Sequence, residues 1–346
     1  MAVEREIWEG DIVEKLYAEN PHLSLCVNAD QYVLAGKVVH IPQAGAAPDV
    51  VKNRSSLPAA VKKRTDTDIT YPLDEYTSDP VHISNAETIE PSYDKRMSVM
   101  ADTHMALNET VGVVTIRNWA PSGSARIIRT SGEAVAAHMP GATGMRKKFL
   151  KAELKKAQKQ MNKDNIPTSD RYAMFDADMM DQLTDSLTDS EYRDFSRAYD
   201  EKNGVVGKLF GFTILSRSYV LGYNGSAAIE PGGEGNSPDC AAVLCWHKNS
   251  VENALGQVKF FEDEGNPQYY GDIYSALVRM GGRIRREDQK GVVAIVQDLV
   301  TEAWKTGEEY KADAFVTNDG KTYVCVEDHT VSAAFATDAA KWEEIV

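Results

Sequence analysis

Residues 31–83 constrain the fold of this chain most, because they hold two strand-like runs with a long polar stretch between them and nothing local to pack on. Gln31-Tyr32-Val33-Leu34-Ala35-Gly36-Lys37-Val38-Val39-His40-Ile41-Pro42 reads as one strand, and Asp68-Ile69-Thr70-Tyr71-Pro72-Leu73 begins a return. The tip between them, from Gln43 to Thr67, is rich in Ala, Pro, Lys and Arg. A two-stranded hairpin is at best marginal in water, and connections this long are usually functional or disordered. The segment is therefore either a loose insertion or an arm that reaches another surface.

Helical periodicity flanks it. Trp8, Ile12 and Leu16, with Val13 and Tyr17 alongside, form one stripe over the first seventeen residues. This short amphipathic arm packs either on its own domain or on a neighbouring copy. From Pro91 onward Tyr93, Met97, Met100, His104, Leu107 and Val111 recur at steps of four and three, with Pro91 suited to the first turn and Gly112 to a stop. His104 on that stripe reads as a core histidine rather than a ligand. A second helix is expected from about Met145 to Asn162, apolar at Leu150, Leu154, Ala157 and Met161. Its remainder is basic through Lys147, Lys148, Lys151, Lys155 and Lys159. Such a face is normally solvated; contact with DNA or with an acidic neighbour are the alternatives.

Two stretches then carry the most information. Ile166-Pro167-Thr168-Ser169-Asp170-Arg171-Tyr172-Ala173-Met174-Phe175-Asp176 is followed by Gly207-Lys208-Leu209-Phe210-Gly211-Phe212-Thr213-Ile214-Leu215-Ser216-Arg217-Ser218. The pairing resembles tailed-bacteriophage major capsid proteins of the Hong Kong 97 (Johnson) fold, in which a Pro-x-x-x-Arg-Tyr segment opens a strand after a long helix. A Gly-Phe-x-Ile-x-x-Ser segment forms a later strand of the same domain. Between and beyond the motifs, Asp178–Leu183, Asp189–Tyr199 and Ser250–Leu255 read as short helices. Phe212–Leu215 and Ala241–Trp246 read as strands, and 222–239 as an exposed Gly-rich loop. Tyr269-Tyr270 through Gly281-Gly282-Arg283 leads into Gly291-Val292-Val293-Ala294-Ile295-Val296, similar to the family's last peripheral-domain strand, so the capsid part closes near Asp298.

After that, Trp304, Gly307, Tyr310, Phe315, Gly320, Tyr323, His329 and Trp342 are spaced as in small aromatic β modules, similar to chitin-binding modules of glycoside hydrolases and to phage appendages. Asn318-Asp319-Gly320-Lys321 is a hairpin turn signal, since Asp-Gly supplies positive φ. Ala312-Asp313 departs from the Gly-Asp such modules often carry. The aromatics serve either as core of so small a module or as glycan contacts. In the second case Trp304, Tyr310, Tyr323 and Trp342 are the candidates, with Trp304 and Trp342 as exposed platforms.

Composition bounds the function. The 346 residues carry a formal net charge of −14, against a broad basic grip on nucleic acid. No signal peptide or long apolar run is present. Cys26, Cys240, Cys245 and Cys325 lack zinc-ligand spacing and read as reduced, buried thiols. No phosphate-binding loop, nucleophile elbow or His-Glu-x-x-His helix occurs. The acidic run Asp176, Asp178, Asp181, Asp185, Asp189 lacks the Gly and Glu of an EF-hand, and reads as helix capping and solvation.

The resemblance thus implies an α+β chain: an N-terminal arm over 1–30, an extended β-hairpin loop over 31–83, and peripheral and axial domains over 84–298, the former with a long spine helix. A small all-β module over 299–346 completes it. It implies a non-enzymatic capsid subunit without cofactor or metal, forming hexamers and pentamers around double-stranded DNA. A portal protein and a separately encoded scaffolding protein are the expected partners, because the loop begins near Gln31 and leaves no room for a scaffolding segment. Assembly in the bacterial cytoplasm, residence in the virion and no membrane contact follow. Candidate contacts between copies are Trp8, Ile12, Val38, Ile41, Lys62, Lys63, Arg283 and Arg285. A receptor- or carbohydrate-binding phage appendage is the alternative function.

Overall fold

A computed structural model of the chain describes residues 2–34, 38–43, 52–53, 61, 67–84, 95–200, 204–233, 235–331 and 334–345. Along it run α1 (Ala2–Glu19), β1 (Val27–Asn28), β2 (Val33–Leu34), β3 (Val38–Gln43), β4 (Thr67–Pro72), β5 (Asp74–Thr77), β6 (Val81–Ser84) and α2 (Lys95–Asn118). Next come β7 (Ile127–Arg129), β8 (Ala134–Ala136), β9 (Met145–Lys147), α3 (Lys151–Lys163), β10 (Arg171–Phe175), α4 (Ala177–Asp185) and α5 (Asp189–Ser196). The sheet strands β11 (Val205–Leu209), β12 (Phe212–Ser216), β13 (Leu221–Asn224), β14 (Ala227–Ala228), β15 (Cys240–His247), β16 (Val251–Asn266), β17 (Gly271–Ile284) and β18 (Val292–Val296) follow. The last strands are β19 (Glu302–Ala303), β20 (Glu309–Tyr310), β21 (Phe315–Asn318), β22 (Lys321–Cys325), β23 (His329–Thr330) and β24 (Trp342–Ile345).

The chain divides into two compact units. The first takes Met1–Glu14, Asn28–Leu107 and Asn253–Gly281; the second takes Lys15–Val27, Asn108–Glu252 and Gly282–Val346.

In the first unit, β3 and β4 pair antiparallel from Val38↔Pro72 to Gln43↔Thr67, as the two runs of β-forming residues predict. The run from Gln31 to Pro42 is not one strand, however. β2 folds back on β3, with Val33 opposite Val39 and Leu34 opposite Val38. Two β-branched runs around Ala35-Gly36-Lys37 gain more from pairing with each other than from extending. A small cluster of Ala29, Val39, Leu73 and Ala254, flanked by Val33 and Tyr71, is the apolar anchor of this hairpin. β5 and β6 then return successively onto β17, Leu277 facing Thr77 and Gly271 facing Ser84. The arm packs on its own unit: Ile12 is fully buried, and the Trp8 ring lies 6.5 Å from that of His104 and 6.1 Å from that of Phe260. His104 is buried, as expected of a core histidine.

The expected helix at Ser250–Leu255 is instead a single 3-10 turn over Lys248–Ser250 followed by the long strand β16. The His247 ring caps the start of that turn, accepting from the Asn249 amide at 3.2 Å, and Val251 leaves it with extended backbone. Val251 is buried and the Glu252 carbonyl accepts from the Trp119 indole at 2.9 Å, so tertiary contacts hold the extended backbone.

The second unit is built on β15. β10 pairs with its C-terminal half and β13 with its N-terminal half, while β18 runs along the opposite edge. β12 and β11 extend the sheet beyond β10, β14 beyond β13, and β7 beyond β18. Every residue of β15 and β18 is buried, the mark of strands covered on both faces. Alternate side chains serve two cores. Ala241, Val243, Cys245, Val293 and Ile295 face one with Leu154, Met161, Met179, Leu183 and Phe195 from α3, α4 and α5. Ala242, Leu244, Trp246, Val292, Ala294 and Val296 face the other with Ile116 and Trp119 from α2.

Three further expectations change here. α2 does not stop at Gly112 but continues to Asn118. The second helix begins at Lys151, because Met145–Lys147 is a strand paired with Ala134–Ala136. The first part of 222–239 is not loop: Tyr223 and Asn224 pair with Ala228 and Ala227 at a sheet edge. One member of the acidic run caps a helix: the Asp176 carboxylate accepts from the Met179 amide at 2.6 Å, whereas α5 is capped by Thr188.

Residues 302–345 form a sheet ordered β19-β21-β22-β24 and a β20–β23 pair. The predicted turn closes β21 onto β22 with Asp319 at φ 49° and Gly320 at φ 78°. Asp313, of the Ala312-Asp313 pair that departs from Gly-Asp, itself takes φ 68°.

Candidate functional site

The two sequence motifs turn out to be structural devices. Arg171 is fully buried, donating Nε to the Pro167 carbonyl at 2.7 Å and Nη2 to that of Ile166 at 2.6 Å, so it locks the turn that delivers the chain into β10. Tyr172 packs its ring 5.7 Å from Trp246 on β15. In the second motif Gly207 leaves room for Phe195, whose ring an added Cβ would meet at 2.5 Å. Phe210 and Gly211, at φ 48° and 81°, close the hairpin from β11 to β12. The hydrogen bonds of Arg171 go to carbonyls, so the motif positions the sheet.

Arg217, at the end of the second motif, explains why α2 passes Gly112. The Arg217 Nη1 donates to Asn20 Oδ1 at 2.6 Å and its Nη2 to the Glu109 carbonyl at 3.1 Å. Asn20 Nδ2 donates to the carbonyls of Leu16 at 3.1 Å and Asn108 at 2.9 Å. A Cβ on Gly112 would stand 2.0 Å from Asn20 Oδ1, so glycine is there for close approach rather than for a helix stop. His22 is buried in the same knot, its Nε2 3.2 Å from the Gly112 carbonyl. Burial and the Arg217 charge push the imidazole down to about 3 despite that hydrogen bond, so at neutral pH it is an uncharged donor. Periodicity alone could not reveal this knot, which joins residues far apart in sequence.

The residues expected to meet other copies fare differently. Ile12 is enclosed by its own chain and Trp8 is half-buried in it. Arg285 donates to Glu252 at 3.1 Å, a carboxylate that is itself buried, and Arg283 is half-buried with its Nε on the Ile284 carbonyl. Val38 and Ile41 lie in β3. Lys62 and Lys63 fall outside the described residues. Sequence reasoning missed a more exposed feature: Tyr269 and Tyr270 stand 53% and 77% exposed in the β16–β17 turn, and Phe261 within β16 is 47% exposed. Asn266 Oδ1 caps that turn, accepting from the Gln268 amide at 2.9 Å. The signal available was the Tyr269-Tyr270 pair beside Gly265-Asn266-Pro267.

The C-terminal aromatics build a core. Phe335 stacks on Trp342 at 5.8 Å and meets Trp304 and Tyr323 at 5.6 and 4.7 Å. Tyr310 and His329 stand edge-on to Trp342 at 5.2 and 5.1 Å. Trp342 and Tyr310 are therefore buried, not platforms, because a sheet of such short strands needs its largest rings inside. Trp304 and Tyr323 are half-buried. These residues also meet the rest of their unit: the guanidinium of Arg146 lies over the Phe315 ring at 5.1 Å, and Gly144 leaves the space that ring occupies.

Among the described residues, no group of three or more His, Cys, Asp or Glu is gathered as a metal site, and no helix is long and apolar enough to cross a membrane. All four cysteines are free and buried.

No protein-family model matches the sequence, and no curated protein matches it. Solved structures do. The capsid of Ralstonia phage GP4 aligns over 81% of this chain and 89% of its own at a TM-score of 0.58 and 10% identity. The fold is the capsid fold. The capsid structure of cyanophage P-SCSP1u matches at 0.54 with 19% identity, over 78% of this chain and 86% of its own. The head structure of Helicobacter pylori bacteriophage KHP40 matches at 0.54 with 12% identity, over 81% and 90%. A capsid fold shared at such low identity rests on the pattern of strands and cores described above, not on individual surface residues.

Proposed function

We propose that this chain is the major capsid protein of a tailed double-stranded DNA bacteriophage. It is a structural subunit, not an enzyme, and assembles with copies of itself into hexamers and pentamers of an icosahedral shell around the genome. The observation that carries this reading is the capsid fold, matched over 78–81% of the chain. Three features support it. Among the described residues the β3–β4 hairpin has a small apolar anchor; aromatic side chains stand exposed at the β16–β17 turn; and a net charge of −14 suits a wall that encloses DNA without gripping it. Weak contacts to several neighbours multiply on closure. Assembly takes place in the bacterial cytoplasm with a scaffolding protein and a portal protein, and the product resides in the virion.

Residues 299–346 are proposed to project from the outer surface and brace the shell. The appendage reading draws its support from the C-terminal aromatics, and their mutual packing favours the core role instead.

Negative-stain electron microscopy with light scattering on the full chain, alone and with the scaffolding protein of the same phage, tests the main reading. Shells, tubes or capsomer rings are expected. A monodisperse species under both conditions overturns it. A chain truncated after Asp298 whose shells keep normal heat resistance would remove the bracing role.

A further inference from the structure

We propose that a cavity of about 560 Å³ in the second unit binds a small free aliphatic amine, with its ammonium on Asp239 and its chain against apolar walls. The cavity lies between a turn of α2 that presents Val113 and Val114 and residues 229–233, 235–236 and 239, with Met139 and Tyr219 completing the walls. Its size is that of a small-molecule site.

Asp239 gives it chemical character. The side chain is 1% exposed, and Oδ2 accepts from the Asn236 amide at 2.7 Å. Oδ1, also buried, has no hydrogen-bond partner among the described residues. The nearby Arg146 does not supply one: it donates to the main-chain carbonyls of Asp239 at 2.9 and 3.3 Å, Ser237 at 2.7 Å, Thr143 at 2.9 Å and Met145 at 3.2 Å. A buried carboxylate oxygen without a donor is costly, and a ligand that brings an N–H relieves the cost.

The surroundings select the ligand. At the rim, Glu109 is exposed and carries negative charge in the field of Arg217, and Glu230 is paired with Arg117. An anion is repelled. A hard metal cation needs six or more oxygen ligands, and the apolar walls do not offer them. A methylene chain ending in an ammonium matches both the walls and the carboxylate, and a second ammonium at the far end would meet the Glu109 side of the rim.

The test uses the full-length chain in solution and does not depend on shell formation. Pentylamine, 1,5-diaminopentane and 1-pentanol are titrated by calorimetry and by thermal shift. Pentylamine is expected to bind and raise the melting temperature, the diamine to bind at least as tightly, and pentanol about tenfold or more weaker. Asp239→Asn keeps the acceptor for the Asn236 amide; it should weaken pentylamine by about tenfold while leaving pentanol unchanged. Val114→Phe, which fills the cavity without touching the carboxylate, should weaken both. Equal affinity for pentylamine and pentanol, an unchanged Asp239→Asn affinity, or no saturable binding overturns the proposal. Tighter binding of Nα-acetyl-lysine amide than of pentylamine would assign the site to a lysine of another polypeptide and overturn the free-ligand assignment.

Discussion

The sheet centred on β15, a strand that pairs antiparallel with β10, β13 and β18, and the antiparallel hairpin of β3 and β4 differ in what holds them. β15 and β18 are buried on both faces between two clusters, one under α3, α4 and α5 and the other under the end of α2. The hairpin has Ala29, Val39, Leu73 and Ala254. Apolar burial contributes on the order of 25 cal/mol per Å², so the first region can carry its own stability, while among the described residues the hairpin contributes a far smaller cluster. For the proposed role in assembly, the contrast would correspond to a self-sufficient centre and extensions proposed to be completed by other copies.

The largest effect that tests this contrast is Trp246→Ala. The indole is fully buried, donates to the Leu25 carbonyl at 3.0 Å and lies 5.8 Å from the Trp119 ring. Loss of about 3–5 kcal/mol is expected, read by urea denaturation of the dispersed chain; a loss below 1 kcal/mol would mean that the centre is not the main source of stability. Gly112→Ala comes next, at about 1–3 kcal/mol, because the methyl group displaces Asn20 and Arg217. An unchanged urea midpoint would break the close-packing account of that knot.

His22 sharpens the contrast through pH. Its folded value of about 3 lies below the ordinary 6.5, so between these values the unfolded chain binds a proton that the folded chain excludes. Stability is complete above pH 6.5 and falls as pH drops toward 3, by at most about 1.4 kcal/mol per unit from this group. His22→Gln should flatten the pH dependence between pH 6 and 4; an identical slope would show that the histidine is protonated or the knot open. The smallest effect on the dispersed chain belongs to Tyr270→Ala, within roughly 0.5 kcal/mol since the ring is 77% exposed. Its proposed effect is on association, seen as a slower rise in light scattering; wild-type assembly kinetics would remove the turn from the interface.

Much of the fold was legible because it is local. β10, β12, β15 and β18 follow short apolar runs, α4 starts at an Asp cap, and Asn318-Asp319-Gly320-Lys321 turns where Asp-Gly demands. The errors share a cause. Gly112 resembles a helix stop until Asn20 and Arg217 are brought against it, Ser250–Leu255 has helical spacing until β16 is needed in a sheet, and Met145–Lys147 reads as helix until it pairs with Ala134–Ala136. For the candidate surfaces the legible share was smaller. Ile12 was correctly seen as apolar but is spent inside its own unit, whereas Tyr269 and Tyr270, beside a turn, stay exposed while Tyr223 and Tyr310 are buried.

By itself the sequence determined the strand and helix identities that depend on neighbours along the chain, the two capsid-type motifs and the acidic balance, since these follow from backbone preferences and charge. Only the tertiary structure decided which apolar residues became core and which stayed exposed. It also decided that Arg171 and Arg146 are buried on carbonyls and that, among the described residues, one oxygen of Asp239 is left without a donor. Burial and hydrogen-bond satisfaction are set by groups brought together from distant parts of the chain, and no local pattern records who those partners will be.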